Sequence, residues 1–257
     1  MSTPTTAQKF GAEVIGTAIL VFIGAGSVPL TVFLTGSNPF GSAELSTISF
    51  AFAFAIFAAV YSVGHISGAH INPAVTIALL ATRKIDARTA GYYVAAQLVG
   101  ATLGAVLTYI ILIGNDPVKL GLGAVAVNAN AGPYVGLLAE IIGTAILVFT
   151  VFGSAVDGRA PAGFAGIVIG FIVYGIIILV GPITGAALNP AREFGPNLVQ
   201  TLIGGTAKWG EFWVYVLGPI GGGLLGAFTY EAIGRKPVPA VQRSAAPVAE
   251  RAAAERA

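Results

Sequence analysis

Six long apolar stretches, separated by short groups of polar or charged residues, dominate the pattern along this chain. They lie at about residues 14–34, 45–65, 89–113, 134–152, 162–180 and 211–233. Each contains about 20 predominantly apolar residues, which is the length a helix needs to cross the hydrocarbon core of a bilayer. The pattern therefore predicts an all-α membrane protein with six transmembrane helices.

Two shorter apolar stretches follow the second and the fifth of these spans. Both begin directly after an Asn-Pro pair: residues 74–81 follow residues 72–73, and residues 191–203 follow residues 189–190. Asn is a favoured helix cap, and Pro suits the first helical position because its missing N–H is not needed there. Both stretches are too short to cross a bilayer, so they are predicted to be half-helices that begin inside the membrane.

The two halves of the chain repeat each other. AEVIGTAILVF at residues 12–22 returns as AEIIGTAILVF at 139–149, and the segment that ends in Asn-Pro-Ala at 72–74 returns at 189–191. Three spans per half is an odd number, so the second half must insert inverted relative to the first. We expect one transmembrane channel domain over residues 1–257, with repeat one at about 8–113, repeat two at about 134–233, and a basic Ala/Pro-rich cytoplasmic tail at 235–257.

Composition narrows the class of protein. The chain is 56% hydrophobic and 9% charged, whereas soluble proteins carry about 25% charged residues. The net charge of +2 comes from few, scattered basic residues, so nothing supports nucleic-acid binding. With no cysteine and only two histidines, no disulfide, metal centre or cofactor is expected, and no cluster of nucleophile, base and orienting residue indicates an enzyme.

The distribution of Lys and Arg predicts the orientation. If both termini are cytoplasmic, that side holds ten of the thirteen basic residues: Lys9, Arg83, Lys84, Arg88, Arg159, Arg235, Lys236, Arg243, Arg251 and Arg256. Cytoplasmic loops of membrane proteins carry such an excess. We therefore expect a multi-pass protein of the cell (plasma) membrane with both termini in the cytoplasm.

The two Asn-Pro segments carry a family resemblance. Gly-Ala-His-Ile-Asn-Pro-Ala at 68–74 and Gly-Ala-Ala-Leu-Asn-Pro-Ala-Arg at 185–192 are similar to the double signature of the aquaporin, or major intrinsic protein, family, which the chain resembles along its whole hydrophobic length. The resemblance implies an aquaporin-like right-handed bundle, assembled as a homotetramer. It also implies a passive channel for water that admits small neutral solutes such as glycerol and excludes ions and protons. The alternatives are a glycerol facilitator with minor water flux, a coupled secondary transporter, and a junction or scaffold protein with a vestigial pore.

The sequence also assigns residues to the pore. Asn72 and Asn189, with Pro73, Ala74, Pro190 and Ala191, would bring two amide donors to the pore centre. Irregular backbone at membrane depth is tolerated where it lines a cavity, so a ladder of carbonyl groups is predicted at Gly68, Ala69, His70, Gly185, Ala187 and Leu188. The pseudo-symmetry names an opposite apolar wall, whose members are either pore lining or simple core: Leu20, Ile56, Leu147 and Val173.

The resemblance further implies a selectivity constriction. Its positions fall on Phe52, Ile177, Ala186 and Arg192. For Arg192 there is an alternative interpretation, an interfacial arginine whose side chain extends to the membrane surface. Strict water channels have a histidine in place of Ile177, and glycerol facilitators typically use a tryptophan in the constriction, so this chain matches neither pattern.

Two carboxylates hold equivalent positions of the repeat, Glu13 directly before the first apolar stretch and Glu140 inside the fourth, and both are expected to be buried. An ionisable group in the membrane is costly enough to indicate a role. By resemblance each is expected to brace the loop before an Asn-Pro-Ala. A proton relay is the alternative.

Overall fold

The computed structural model describes residues 3–36 and 40–234. The predicted tail at 235–257 and the middle of the predicted loop at 35–41 lie outside the described residues. Five of the basic residues counted for the orientation therefore also lie outside them: Arg235, Lys236, Arg243, Arg251 and Arg256.

The described chain contains six helical segments long and apolar enough to cross a membrane, which confirms the six predicted spans: Thr6–Thr35, Ser42–Ser67, Ala87–Asn115, Gly132–Val156, Ala165–Thr184 and Trp209–Gly234. In order, the α-helices are α1 (Thr6–Ile19), α2 (Ser27–Thr35), α3 (Ser42–Ser67), α4 (Pro73–Ala81), α5 (Ala87–Leu112), α6 (Pro117–Leu120), α7 (Gly132–Val151), α8 (Ala165–Thr184), α9 (Pro190–Leu202) and α10 (Phe212–Gly234). A π-helical segment, Leu20–Ala25, joins α1 to α2, and a second, Phe152–Val156, extends α7.

The first span begins earlier than the apolar pattern predicts. Thr5 caps α1, with its hydroxyl 3.2 Å from the Gln8 N–H and its own N–H 2.8 Å from the Gln8 side chain. This reciprocal pair satisfies two backbone groups that a helix start leaves open. The charges of Lys9 and Glu13 predict a span that begins at residue 14. Glu13 is instead fully buried within the helix.

The half-helices α4 and α9 begin at the two Asn-Pro pairs, as predicted. Both Asn residues are extended, and their side-chain oxygens accept from the first turn of the helix: Asn72 from Ala74 N at 2.8 Å, and Asn189 from Ala191 N at 3.0 Å. The nine residues of α4 span only about 14 Å at 1.5 Å per residue. Neither helix is counted among the membrane-crossing segments of the described chain.

The helices before the half-helices run further than the sequence predicts. α3 continues to Ser67 and α8 to Thr184, each ending at a glycine in the left-handed region, Gly68 at φ 91° and Gly185 at φ 77°. Only four residues, 68–71 and 185–188, therefore lie between each helix and its Asn.

Those four-residue segments share an unusual backbone. Ala69 and Ile71 have φ values of 47° and 44°, and their counterparts Ala186 and Leu188 have 48° and 54°. Positive φ is strained for residues other than glycine, so these segments need outside support to keep their conformation.

Close backbone approach holds α5 against α1 and α10 against α7. A Cβ on Gly104 would lie 2.7 Å from the Ala18 carbonyl oxygen, and one on Gly226 would lie 2.2 Å from the Ala145 carbonyl oxygen. Small residues allow this approach where no hydrophobic effect drives helices together. The two halves of the repeat thus pack in the same way around the half-helices.

Candidate pore

A cavity of about 410 Å³ runs past both half-helix N-termini. The predicted site residues that line it are Leu20, Phe52, Ile56, Gly68, Ala69, His70, Asn72, Leu147, Val173, Ile177, Ala186, Ala187, Leu188, Asn189 and Arg192. The structure thus brings to one cavity residues that are far apart in the sequence.

Besides the two carboxylates, Glu13 and Glu140, five of the predicted site residues do not line this cavity. Pro73, Ala74, Pro190 and Ala191 are buried within the half-helices behind it. Gly185 caps α8 and packs on Val125. A Cβ added to Gly185 would lie 2.4 Å from Val125 Cγ1. Gly185 is therefore not among the residues that line the cavity, whereas Ala186, Ala187 and Leu188 of the same segment are.

The two Asn side chains hold the segments of opposite halves together. Asn72 Nδ2 donates to the Leu188 carbonyl at 2.8 Å, and Asn189 Nδ2 donates to the Ile71 carbonyl at 2.9 Å. Each amide has two N–H groups. One is therefore used in the cross-link, and the described residues show no hydrogen-bond acceptor for the second.

Glu13 supports the strained segment of the first half. Its Oε1 accepts from Ser67 Oγ at 2.7 Å and from His70 N at 2.9 Å. Its Oε2 accepts from Ile71 N and from Gln97 Nε2, both at 2.8 Å. A buried carboxylate with four donors is well compensated for the loss of its water.

Glu140 supports the second half in the same way. Its Oε1 accepts from Thr184 Oγ1 at 2.7 Å and from Ala187 N at 2.9 Å, and its Oε2 accepts from Leu188 N at 2.7 Å. The two carboxylates thus pair backbone N–H groups of both four-residue segments, at His70 and Ile71 in the first half and at Ala187 and Leu188 in the second.

Sequence reasoning missed three residues of this support. The Tyr93 hydroxyl donates to the Ser67 carbonyl at 2.7 Å, and the Tyr215 hydroxyl donates to the Thr184 carbonyl at 2.9 Å. Their offset, 215 − 93 = 122, equals that of the two packing glycines Gly104 and Gly226, 226 − 104 = 122, so the repeat could have identified them. Gln97 bridges Glu13 and Thr76. Its equivalent in the second half is Pro219, so the repeat gives no signal for Gln97.

Arg192 is the buried cation of the cavity, with 1% of its side chain exposed. Its Nη1 donates to the Gly123 carbonyl at 2.8 Å and lies 3.5 Å from Glu193 Oε2, while its Cζ lies 5.1 Å from the centre of the Phe52 ring. Its Nε has no partner among the protein atoms of the described chain. The guanidinium is thus held at Nη1, while its Nε is buried without a protein partner in the described chain.

Lys84 lines the same cavity beyond the half-helix α4 and forms a 2.8 Å ion pair with Glu231 of α10. Apolar side chains line the same cavity, among them Ile85, Val151 and Ile169.

Among the described residues, no three His, Asp or Glu side chains come together as a metal site would require.

Six spans and two half-helices around one cavity define a membrane channel. A family model described as "Major intrinsic protein" matches residues 1–230. Aquaporin AqpM of Methanothermobacter marburgensis is 45% identical over 233 residues, covering 86% of this chain and 94% of that protein. The probable aquaporin AqpM of Archaeoglobus fulgidus is 44% identical over 247 residues, covering 91% and 100%. The solved structure of the aquaglyceroporin from Plasmodium falciparum superposes with a TM-score of 0.79 at 27% identity, covering 89% of this chain and 97% of that chain.

The chain belongs to the major intrinsic protein family. It is a multi-pass membrane protein and a passive, non-enzymatic channel of the class that conducts water, or water and glycerol. This confirms the family, the fold class and the channel function that the sequence predicts.

Proposed function

We propose that this channel conducts water and also admits glycerol, while it excludes ions and protons. The observation that carries the proposal is the chemistry around Arg192. The apolar side chains of Phe52 and Ile177 and the small Ala186 line the same cavity as the guanidinium. A constriction with one polar side and one apolar side suits a solute that has hydroxyls on a carbon backbone.

Glycerol must replace the hydrogen bonds it leaves behind in water, since an unpaired hydroxyl in an apolar site costs about 2–7 kcal/mol. Arg192, Ala186 and Ala187 line the cavity together, so the guanidinium can offer donors and the backbone carbonyl groups can offer acceptors. These groups would bind the hydroxyls, and Phe52 and Ile177 would contact the carbon atoms.

Water would pass in single file along the carbonyl ladders. At the centre, the second N–H groups of Asn72 and Asn189 would donate to one water oxygen and orient its neighbours in opposite directions. The apolar wall of Leu20, Ile56 and Val173 offers no competing hydrogen bonds. The file of water molecules would therefore form hydrogen bonds with the channel on one side only. Proton transfer along the file would be interrupted at the centre.

A coupled secondary transporter would also use broken helices. It would need carboxylates or hydroxyls free to bind the coupling ion at the break. Every carboxylate oxygen of Glu13 and Glu140 already accepts hydrogen bonds from the chain itself, which favours the passive channel.

The functional unit would be a homotetramer in the plasma membrane, each subunit a single channel domain with both termini cytoplasmic. Large apolar side chains exposed on helices such as α5, α7 and α8, among them Leu103, Ile142 and Leu179, suit contact with lipid or with neighbouring subunits. The excess of Lys and Arg at the cavity end marked by Lys84 supports the orientation.

The test is a paired measurement on the purified channel in vesicles. Osmotic water flux and glycerol uptake are recorded in the same preparation, with empty vesicles as the control. We expect both fluxes to exceed the empty-vesicle level. Water flux with glycerol uptake at the empty-vesicle level would replace the proposal with a water-selective channel, and glycerol uptake with little water flux would indicate a glycerol facilitator.

A further inference from the structure

The ring of Phe52 packs directly on the backbone of Gly24, in the π-helical segment between α1 and α2. A Cβ added to Gly24 would lie 2.5 Å from Cδ1, 2.7 Å from Cε1 and 2.9 Å from Cγ of this ring. Carbon atoms in favourable contact are about 3.5–4.0 Å apart. The ring can therefore occupy its present position only while residue 24 has no side chain.

The backbone itself does not require glycine at this position. Gly24 is absent from the residues with positive φ, so any residue could adopt its conformation. What glycine provides here is space for a neighbouring ring. Because Phe52 lines the cavity and lies 5.1 Å from Arg192 Cζ, the space behind the ring decides how far the ring extends toward the guanidinium.

The second half of the repeat has other residues at the positions equivalent to Gly24 and Phe52. Position 24 corresponds to 24 + 127 = 151, which is Val151, and position 52 corresponds to 52 + 117 = 169, which is Ile169. Both of these residues line the cavity at its other end. The fold therefore accepts a side chain at the equivalent of position 24 when its partner is smaller than phenylalanine.

We propose that Gly24 is a specificity-determining residue of this channel, because it sets the depth of the Phe52 ring and thereby the width of the constriction beside Arg192. Gly24 does not contact the solute; it acts through Phe52. The inference rests on the proposed function, in which Phe52 faces the permeating solute.

The experiment is a double-mutant cycle of Gly24→Ala and Phe52→Val, with water and glycerol permeability measured in vesicles. Gly24→Ala should move the ring toward the cavity and lower the ratio of glycerol to water permeability by about threefold or more, because pore diameter sets selectivity. In the Phe52→Val background, Gly24→Ala should change the ratio by less than about 1.5-fold, since no ring remains to be displaced. An equal fall in both backgrounds would overturn the inference.

Gly153→Ala is the matched control. Gly153 lies in the second π-helical segment, where an added Cβ would be 3.1 Å from the ring of Tyr230, and neither residue lines the cavity. It should leave the permeability ratio unchanged, and a fall equal to that of Gly24→Ala would contradict a local effect at Phe52. If Gly24→Ala alone fails to fold, the double variant should recover folded yield, and absence of recovery would also refute the steric account.

The two proposals fail in different ways. If the native channel passes no glycerol, the proposed function fails, while the effect of Gly24→Ala on water permeability still reports on the ring. If Phe52→Val raises glycerol permeability but Gly24→Ala leaves both permeabilities at native values, the inference about Gly24 alone is wrong.

Discussion

Single residues at the constriction take their geometry from parts of the chain that are distant in sequence. Arg192 follows the second Asn-Pro-Ala, but its guanidinium is held by the carbonyl of Gly123, which lies in a loop without a recognisable motif. Burying an arginine charge costs several kcal/mol unless hydrogen bonds and an opposite charge compensate it. The Glu193 carboxyl group lies 3.5 Å from Arg192 Nη1, so the position of Arg192 depends on both Gly123 and Glu193.

Ile177→His tests the apolar side of the constriction. The imidazole would add bulk and a polar group to the cavity beside Arg192, so glycerol uptake should fall by about tenfold, equivalent to about 1.4 kcal/mol, while water flux is retained. Paired flux measurements on the native and mutant channels check this. Ile177→Leu, which keeps volume and polarity, is the control and should keep glycerol uptake within about twofold of native. Unchanged glycerol uptake in Ile177→His would show that this residue does not limit the solute.

Glu13→Gln and Glu140→Gln test the buried carboxylates. Each substitution replaces an acceptor oxygen with an NH₂ group facing backbone N–H donors, at a cost of about 1–3 kcal/mol per unsatisfied group. We expect a lower unfolding temperature and reduced water flux for both.

Glu231→Gln serves as the control for these two substitutions. It weakens the ion pair with Lys84. The Lys84 side chain is 37% exposed and the Glu231 side chain 38%, and such exposed pairs contribute only about 0–1 kcal/mol to stability. A Glu13→Gln or Glu140→Gln channel as stable and as active as Glu231→Gln would show that the carboxylates do not support the strained segments.

At the scale of elements, each half-helix depends on how the preceding span ends. α3 and α8 both stop at a left-handed glycine, and the next three residues alternate between positive and negative φ. Positive φ is strained outside glycine. The tyrosine hydroxyls at the ends of α3 and α8 and the two glutamates hold the segments in this form.

Tyr93→Phe and Tyr215→Phe should therefore each destabilise the channel by about 1 kcal/mol or more, since both leave a buried carbonyl at the end of a helix without its donor. Thermal unfolding in detergent measures this. Tyr61→Phe removes a hydroxyl that donates to Gly163 in an exposed setting, where water can replace it. That control should shift the unfolding temperature less, and an equal shift would argue against a special role of the buried pair.

At the scale of the whole molecule, the inverted repeat brings two helix N-termini together. The cross-links from Asn72 to Leu188 and from Asn189 to Ile71 hold the two half-helix N-termini, which are positive dipole ends, next to each other. Arg192 adds a full positive charge to the same cavity. A cation entering from either side would meet a repulsive potential before the centre.

Proton flux should consequently stay at the empty-vesicle level while water flux is high. Vesicles loaded with a pH-sensitive dye, given an osmotic and a proton gradient together, measure both, and a proton ionophore is the positive control. A proton current that rises with the amount of channel would contradict the proposed interruption of the proton wire.

The sequence by itself determined the number of spans, the half-helices, the inverted repeat and the family. These features depend on local rules: about 20 apolar residues per span, a cap at Asn-Pro, and a repeated pattern that must invert because each half has three spans. The repeat also identified Glu13 and Glu140 as equivalent positions before any contact was known. The first span begins before residue 14 because Glu13 lies inside α1, buried and hydrogen-bonded to four donors.

Only the tertiary structure decided which groups meet. Gly123, Gln97 and Gly24 carry no local signal, because what each does is set by a neighbour tens of residues away: a guanidinium, a carboxylate and an aromatic ring. Gly185 belongs to the motif, yet it faces Val125 and not the cavity. A periodic pattern specifies which face of a helix is apolar, but the depth of a ring or the partner of a carbonyl follows from how the helices pack.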